Sequence, residues 1–247
     1  MFETLSAIAL TAGAAIVVAF LSHALARTPL KRLTVAGVLA AWFALVLAIG
    51  AAGALSPGDG AGVPGLGLSV AAPVAALAGA FFAFPSIRSA MLATPLAALI
   101  AVNAIRVLGG LFVALYAAGR LPAPFAPSAG WGDVFAGVTA LPVAWAMLRF
   151  GAHVRGLVLL WNVIGIADLF NAVALGALSA PGPLQVFAGP PTSALMTTLP
   201  WFIIPGFLVP SLIFVHLVIF YRLAKTEASA PARPQLSGGA ARGGVAV

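Results

Sequence analysis

Seven stretches of the chain, at roughly 5–26, 33–54, 67–85, 94–118, 133–149, 157–179 and 197–222, are so nearly free of charge that hydrocarbon suits them and water does not. Crossing a bilayer core takes about 20 consecutive apolar residues. A backbone in hydrocarbon must also satisfy its own N–H and C=O groups, and runs of this length do so as helices. The expectation is an all-α fold: a single polytopic bundle of about seven transmembrane helices over residues 1–225. The composition agrees, since 62% of the 247 residues are hydrophobic and 7% are charged, where a soluble domain carries about 25% charged residues. The lipid bilayer is therefore the expected partner of most of the surface.

The few charges orient the bundle. Arg27, Lys31 and Arg32 lie between the first and second runs, Arg88 between the third and fourth, and Arg149 and Arg155 between the fifth and sixth. Arg222, Lys225, Arg233 and Arg242 follow the seventh. Seven crossings put all of these on one side, with Arg120, Glu3, Asp59 and Asp133 on the other. Basic loops mark the cytoplasmic face, so the N-terminus is expected outside and the C-terminus inside. The net charge of +7 arises from these helix ends and not from one basic soluble face, which argues against nucleic acid as a partner. The start, Met1-Phe2-Glu3-Thr4, has no basic stretch of the kind that opens a cleaved signal peptide, so the first run is read as a retained helix. Residues 226–247 are small, polar and rich in Gly and Pro, and are expected to form a disordered cytoplasmic tail. The abundance of Ala, Gly and Pro suggests a bacterial inner membrane. Cysteine is absent, which excludes disulfides and thiolate chemistry.

An ionisable residue at bilayer depth is costly and points to function or to a partner. Arg106 sits mid-run in Asn103-Ala104-Ile105-Arg106, and Asp168 sits mid-run in Trp161-Asn162-Val163-Ile164-Gly165-Ile166-Ala167-Asp168-Leu169-Phe170-Asn171. Each lies about 17 Å from the basic end at 1.5 Å per residue, so the two are expected to share a depth. Gly165, Ala172 and Gly176 share the Asp168 face and admit a neighbouring helix. The expected polar core is Asn103, Arg106, Trp161, Asn162, Asp168 and Asn171. It is either a site for a small solute or a proton, or an Arg–Asp lock between two helices. If the two residues are simple partners, each substitution alone should harm the protein more than both together.

Three further candidates remain. His23 and His216 lie in the cytoplasmic thirds of their helices and are read mainly as helix-end histidines, although two facing histidines would suit a haem. Asp133 closes Gly130-Trp131-Gly132-Asp133, which matches the G-x-G-D string of intramembrane aspartyl proteases. Such enzymes need a second carboxylate to share a proton, and that would be Asp168. The sequence reading places Asp133 near the outer surface as a helix N-cap, too far from Asp168. No catalytic residue, metal site or resident cofactor is assigned, and the enzyme reading stays an alternative to binding or transport and to an accessory subunit. Pro200, Pro205 and Pro210 predict an irregular outer half of the seventh helix.

Arg106-Val107-Leu108-Gly109, Gly130-Trp131-Gly132-Asp133, Trp161-Asn162 with Gly165 and Asp168-Leu169, Leu199-Pro200 and His216 together resemble a family of uncharacterised bacterial multi-pass membrane proteins. The resemblance covers about half the chain and implies a membrane bundle, with no activity attached.

Overall fold

The structure is a computed structural model that describes residues 1–57 and 62–228. Asp59, Arg233 and Arg242 lie outside the described residues, as does the expected tail beyond 228; residues 226–228 belong to the last helix. All regular structure among the described residues is helical: α1 (Phe2–Leu25), α2 (Pro29–Ala51), α3 (Gly62–Ala83), a short α4 (Pro85–Ala93), α5 (Leu96–Ala101), α6 (Gly110–Ala117), α7 (Phe125–Phe150), α8 (Arg155–Leu178) and α9 (Val209–Ala228), with 3₁₀ and π segments between some of them.

Among the described residues, six apolar stretches are long enough to cross a membrane. The fifth of them, 125–178, is two helices. It folds back at a 3₁₀ turn, Gly151–Val154, where Gly151 takes a positive φ of 54° that favours glycine. The arms run antiparallel, with Trp161 against Thr139 and Asn171 against Ser128. The result is a polytopic helix bundle whose outer faces are apolar, as Leu30, Leu148 and Trp131 show by their exposure.

The basic ends gather at one end of the bundle. Arg27 donates to Ser89 O (2.8 Å), Arg155 to Leu223 O (2.5 Å) and Arg222 to Thr94 O. At the opposite end, Arg120 pairs with Glu3 (2.7 Å).

One departure from the expected boundaries has a local cause. α7 begins at Phe125, eight residues before the run that starts at 133, because Pro127 falls in the first turn, where no N–H is needed. The expected outer loop from 119 to 132 is therefore helical over its second half. In the last span the prolines act as anticipated. Pro210 has no N–H and crowds the carbonyl four residues back, and the preceding turn, Ile204–Leu208, widens to a π-helix in which Val209 N–H bonds to Ile204 O.

Candidate functional site

Arg106 stands on the fourth apolar stretch, which opens as α5, tightens to a 3₁₀-helix over Val102–Gly109 and resumes as α6. In a 3₁₀-helix residues three apart eclipse one another. Asn103, Arg106 and Gly109 thus form one line, and all three are buried. The switch from α to 3₁₀ bonding strands a backbone carbonyl, and the Asn103 amide donates to Leu99 O (3.0 Å). The Asn103 Oδ1 atom is buried without a partner.

Two glycines bring the facing helices close. Gly109 packs against the Cβ of Asp133, and Gly137 of α7 lies against the backbone at Arg106 and Val107, where an added Cβ would sit 2.5 Å from Val107 N. The buried stripe of α7 is small on both sides of Asp133: Ala126, Ala129 and Gly130 precede it and Ala136, Gly137 and Ala140 follow. Small stripes of this kind let membrane helices approach closely. On α8, Gly165 leaves room for the His216 ring and the Arg106 guanidinium, and Gly132 of α7 leaves room for the Asp168 carboxylate.

Arg106 fills the space so made. Its Nε donates to Asp133 Oδ1 (2.7 Å) and its Nη2 to Asp168 Oδ2 (2.5 Å). Its Nη1 donates to Gly165 O (2.9 Å) and meets His216 Nε2 at 3.2 Å. The Nε–Nη2 edge of a guanidinium ordinarily grips both oxygens of one carboxylate. Here it carries one oxygen from each of two, which sets the carboxylates side by side. Arg106 offers only N–H groups, so His216 Nε2 accepts and the ring proton sits on Nδ1, from which it donates to Asn162 Oδ1 (2.7 Å). Asn162 Nδ2 returns a bond to the His216 carbonyl (3.1 Å). Trp161 leans on His216 at 5.4 Å between ring centroids and donates to Thr139 (3.0 Å).

Asp133 is the main correction to the sequence reading. It is neither an outer-surface residue nor an N-cap but a third member of the buried ion cluster, two turns inside α7. The structure thus gathers Arg106, Asp133, Asp168, His216, Asn162 and Trp161, with Asn103 in line on the 3₁₀ face. It leaves out Asn171, which donates to Ser128 (2.8 Å) further along the α7–α8 hairpin. It also leaves out His23, an exposed residue whose ring bonds to Ala19 O (2.9 Å) near the basic end. Both ring nitrogens of His216 are engaged, so the two histidines do not face one another across a haem site. Among the described residues no three of His, Asp or Glu are gathered as metal ligands. Sequence reasoning missed Thr139, which accepts the Trp161 N–H, and Gly132, which makes room for Asp168; neither carries a charge to mark it.

Beside Arg106 and Asp133 lies a cavity of about 30 Å³, otherwise walled by apolar residues. That is the share of one water molecule and leaves no room for a peptide. Each aspartate is also held by Arg106, unlike the unpaired carboxylates that the protease chemistry uses. An apolar cavity of about 420 Å³ adjoins it and shares the walls Phe112, Ile204 and Val209.

No curated protein and no solved structure matches the chain. Residues 63–224, which include every member of the ion cluster and the helices that carry it, match a family model described as a domain of unknown function (DUF8737), and the chain belongs to that family.

Proposed function

We propose that the paired carboxylates of Asp133 and Asp168 bind a proton, and that the protein uses this site to move a proton or a small solute coupled to one. The observation that carries the reading is the charge count at Arg106. Two carboxylates share one guanidinium, and the histidine beside them is neutral by its hydrogen bonds. With both carboxylates ionised the cluster has one negative charge in excess, and buried charge without a partner is costly. One proton cancels it. The carboxylates are also the less buried members, with side chains 11% and 12% exposed against 1% for Arg106.

Infrared difference spectra of the purified protein across a pH titration test this. The expected result is a protonated-carboxyl carbonyl band that titrates in the wild type and is lost in both Asp133→Asn and Asp168→Asn, because either substitution removes the excess charge. A band that is absent across the whole pH range in which the protein stays folded counts against the site, as does a band unchanged in both variants. Reconstituted vesicles carrying a pH-sensitive dye should show proton flux that Asp168→Asn abolishes.

The same reading puts the basic end at the cytoplasmic face of a bacterial inner membrane, with the N-terminus outside. Single cysteines placed at Gly119 and at Gly182 should react with an impermeant maleimide added to whole cells, and a cysteine at Ser86 should react only after lysis. Labelling of position 86 from outside would reverse the orientation.

A further inference from the structure

A groove of about 680 Å³ runs between α1 and α2, walled by small residues such as Ala15 and Ala19 on one side and Ala36 and Ala40 on the other. It reaches from Thr11 to His23 along α1, which is about 18 Å at 1.5 Å per residue. Half of a bilayer core of about 30 Å is about 15 Å. The groove is therefore as deep as one leaflet, measured from the basic end inward.

Its mouth is cationic. His23 and Arg32 close the groove and also line a second hollow of about 550 Å³, which adds Arg27 and Thr94. Arg27 donates to Ser89 O (2.8 Å) and Arg32 to Ala26 O (3.1 Å). These are backbone carbonyls, and neither arginine has a carboxylate partner among the described residues. A guanidinium has five N–H donors, so each keeps most of its donors and its full charge for something else.

We propose that this is a binding site for an anionic phospholipid of the leaflet at the basic end, with an acyl chain in the α1–α2 groove and the phosphate on Arg32 and Arg27. Neither half of the site suits a simpler occupant. A neutral lipid fills the groove and leaves two guanidiniums without counter-charge at the headgroup level. A free phosphate answers the charge and leaves a leaflet-deep apolar groove empty. Basic pockets between membrane helices hold anionic headgroups for this reason. The groove lies on residues 11–43, ahead of the span that matches the family model.

The test uses the full chain, delipidated in detergent, with bound lipid counted by native mass spectrometry and the thermal midpoint followed on lipid addition. Phosphatidylglycerol should bind more tightly than phosphatidylcholine with the same chains and should raise the midpoint more. The double variant Arg27→Gln/Arg32→Gln should lose about fivefold in affinity for each arginine removed. Because that variant also removes bonds to Ser89 O and Ala26 O and can fail to fold, Ala36→Phe serves as a second probe. It fills the groove, leaves the mouth untouched, and should weaken phosphatidylglycerol binding. Equal affinity for the two lipids overturns the proposal, as does phosphatidylglycerol binding that Ala36→Phe leaves unchanged. Inorganic phosphate binding as tightly as the lipid also overturns it and makes the mouth a free-anion site.

Discussion

Arg106→Gln should strip most of the stability from the detergent-purified protein, while Asp168→Asn should cost little. The asymmetry follows from two carboxylates sharing one guanidinium. Removing Arg106 strands both aspartates, and it also takes the donors from Gly165 O and His216 Nε2. Breaking a single buried ion pair costs about 3–5 kcal/mol, against a total stability of about 5–15 kcal/mol. Asp168→Asn keeps an acceptor oxygen for Nη2 and leaves a balanced Arg106–Asp133 pair. Its cost is that of one altered hydrogen bond, about 1 kcal/mol. The double variant Arg106→Gln/Asp168→Asn still leaves Asp133 alone, so it recovers only part of the loss. The two-partner expectation from the sequence, in which each substitution alone harms more than both together, would instead make this double variant more stable than Asp168→Asn. Only the triple variant, with Asp133→Asn added, removes every stranded charge. The Arg106→Gln deficit should also shrink as the pH falls, because protonation neutralises the stranded carboxylates. Thermal midpoints of the five proteins across pH decide the matter. An Asp168→Asn variant as unstable as Arg106→Gln would show that Asp133 carries no weight in the cluster.

The parts of this site that carry charge in an apolar run were legible in the sequence. Arg106 and Asp168 stand out because a charge in a helix surrounded by lipid needs a partner, and equal depth on the fourth and sixth runs made them candidates for each other. Asp133 was misplaced for a definite reason. The segment Phe125-Ala126-Pro127-Ser128-Ala129-Gly130-Trp131-Gly132 carries the Pro and Gly that usually mark a loop. Its proline stands where a helix tolerates one. Its glycines are there for approach: Gly130 faces Val113 and the Gly109 carbonyl, and Gly132 faces Asp168. Adding these eight residues to α7 moves Asp133 about 12 Å into the helix. The 3₁₀ geometry of Val102–Gly109 left no mark in composition, because it is settled by tertiary contact. Local pattern reports the period of a helix but not a half-ångström change of rise within it.

The glycines therefore provide a second large effect. Gly109 and Gly110 are neighbours with opposite surroundings. A Cβ at 109 would overlap the Cβ of Asp133, whereas at 110 the nearest atom, Val134 Cγ2, lies 3.9 Å away, an ordinary contact. Gly110→Ala should be harmless or slightly stabilising, since Ala gains up to about 1 kcal/mol over Gly inside a helix. Gly109→Ala should cost about 3 kcal/mol, at the upper end for overpacking, because α7 must retreat and Asp133 must leave Arg106 as it goes. Gly132→Ala tests the other carboxylate. Its Cβ would occupy the place of Asp168 Oδ1, so Asp168 is pushed off Nη2 while Asp133 keeps Nε. That variant separates packing from charge: it retains all three ionisable groups and removes only their juxtaposition. Its stability should fall further than that of Asp168→Asn, which deletes the charge and keeps the fit, and its protonated-carboxyl band should shift in frequency as the two carboxyls part. If Gly109→Ala proved as benign as Gly110→Ala, the close crossing of the 3₁₀ segment with α7 would be wrong, and the three-residue cluster would fall with it.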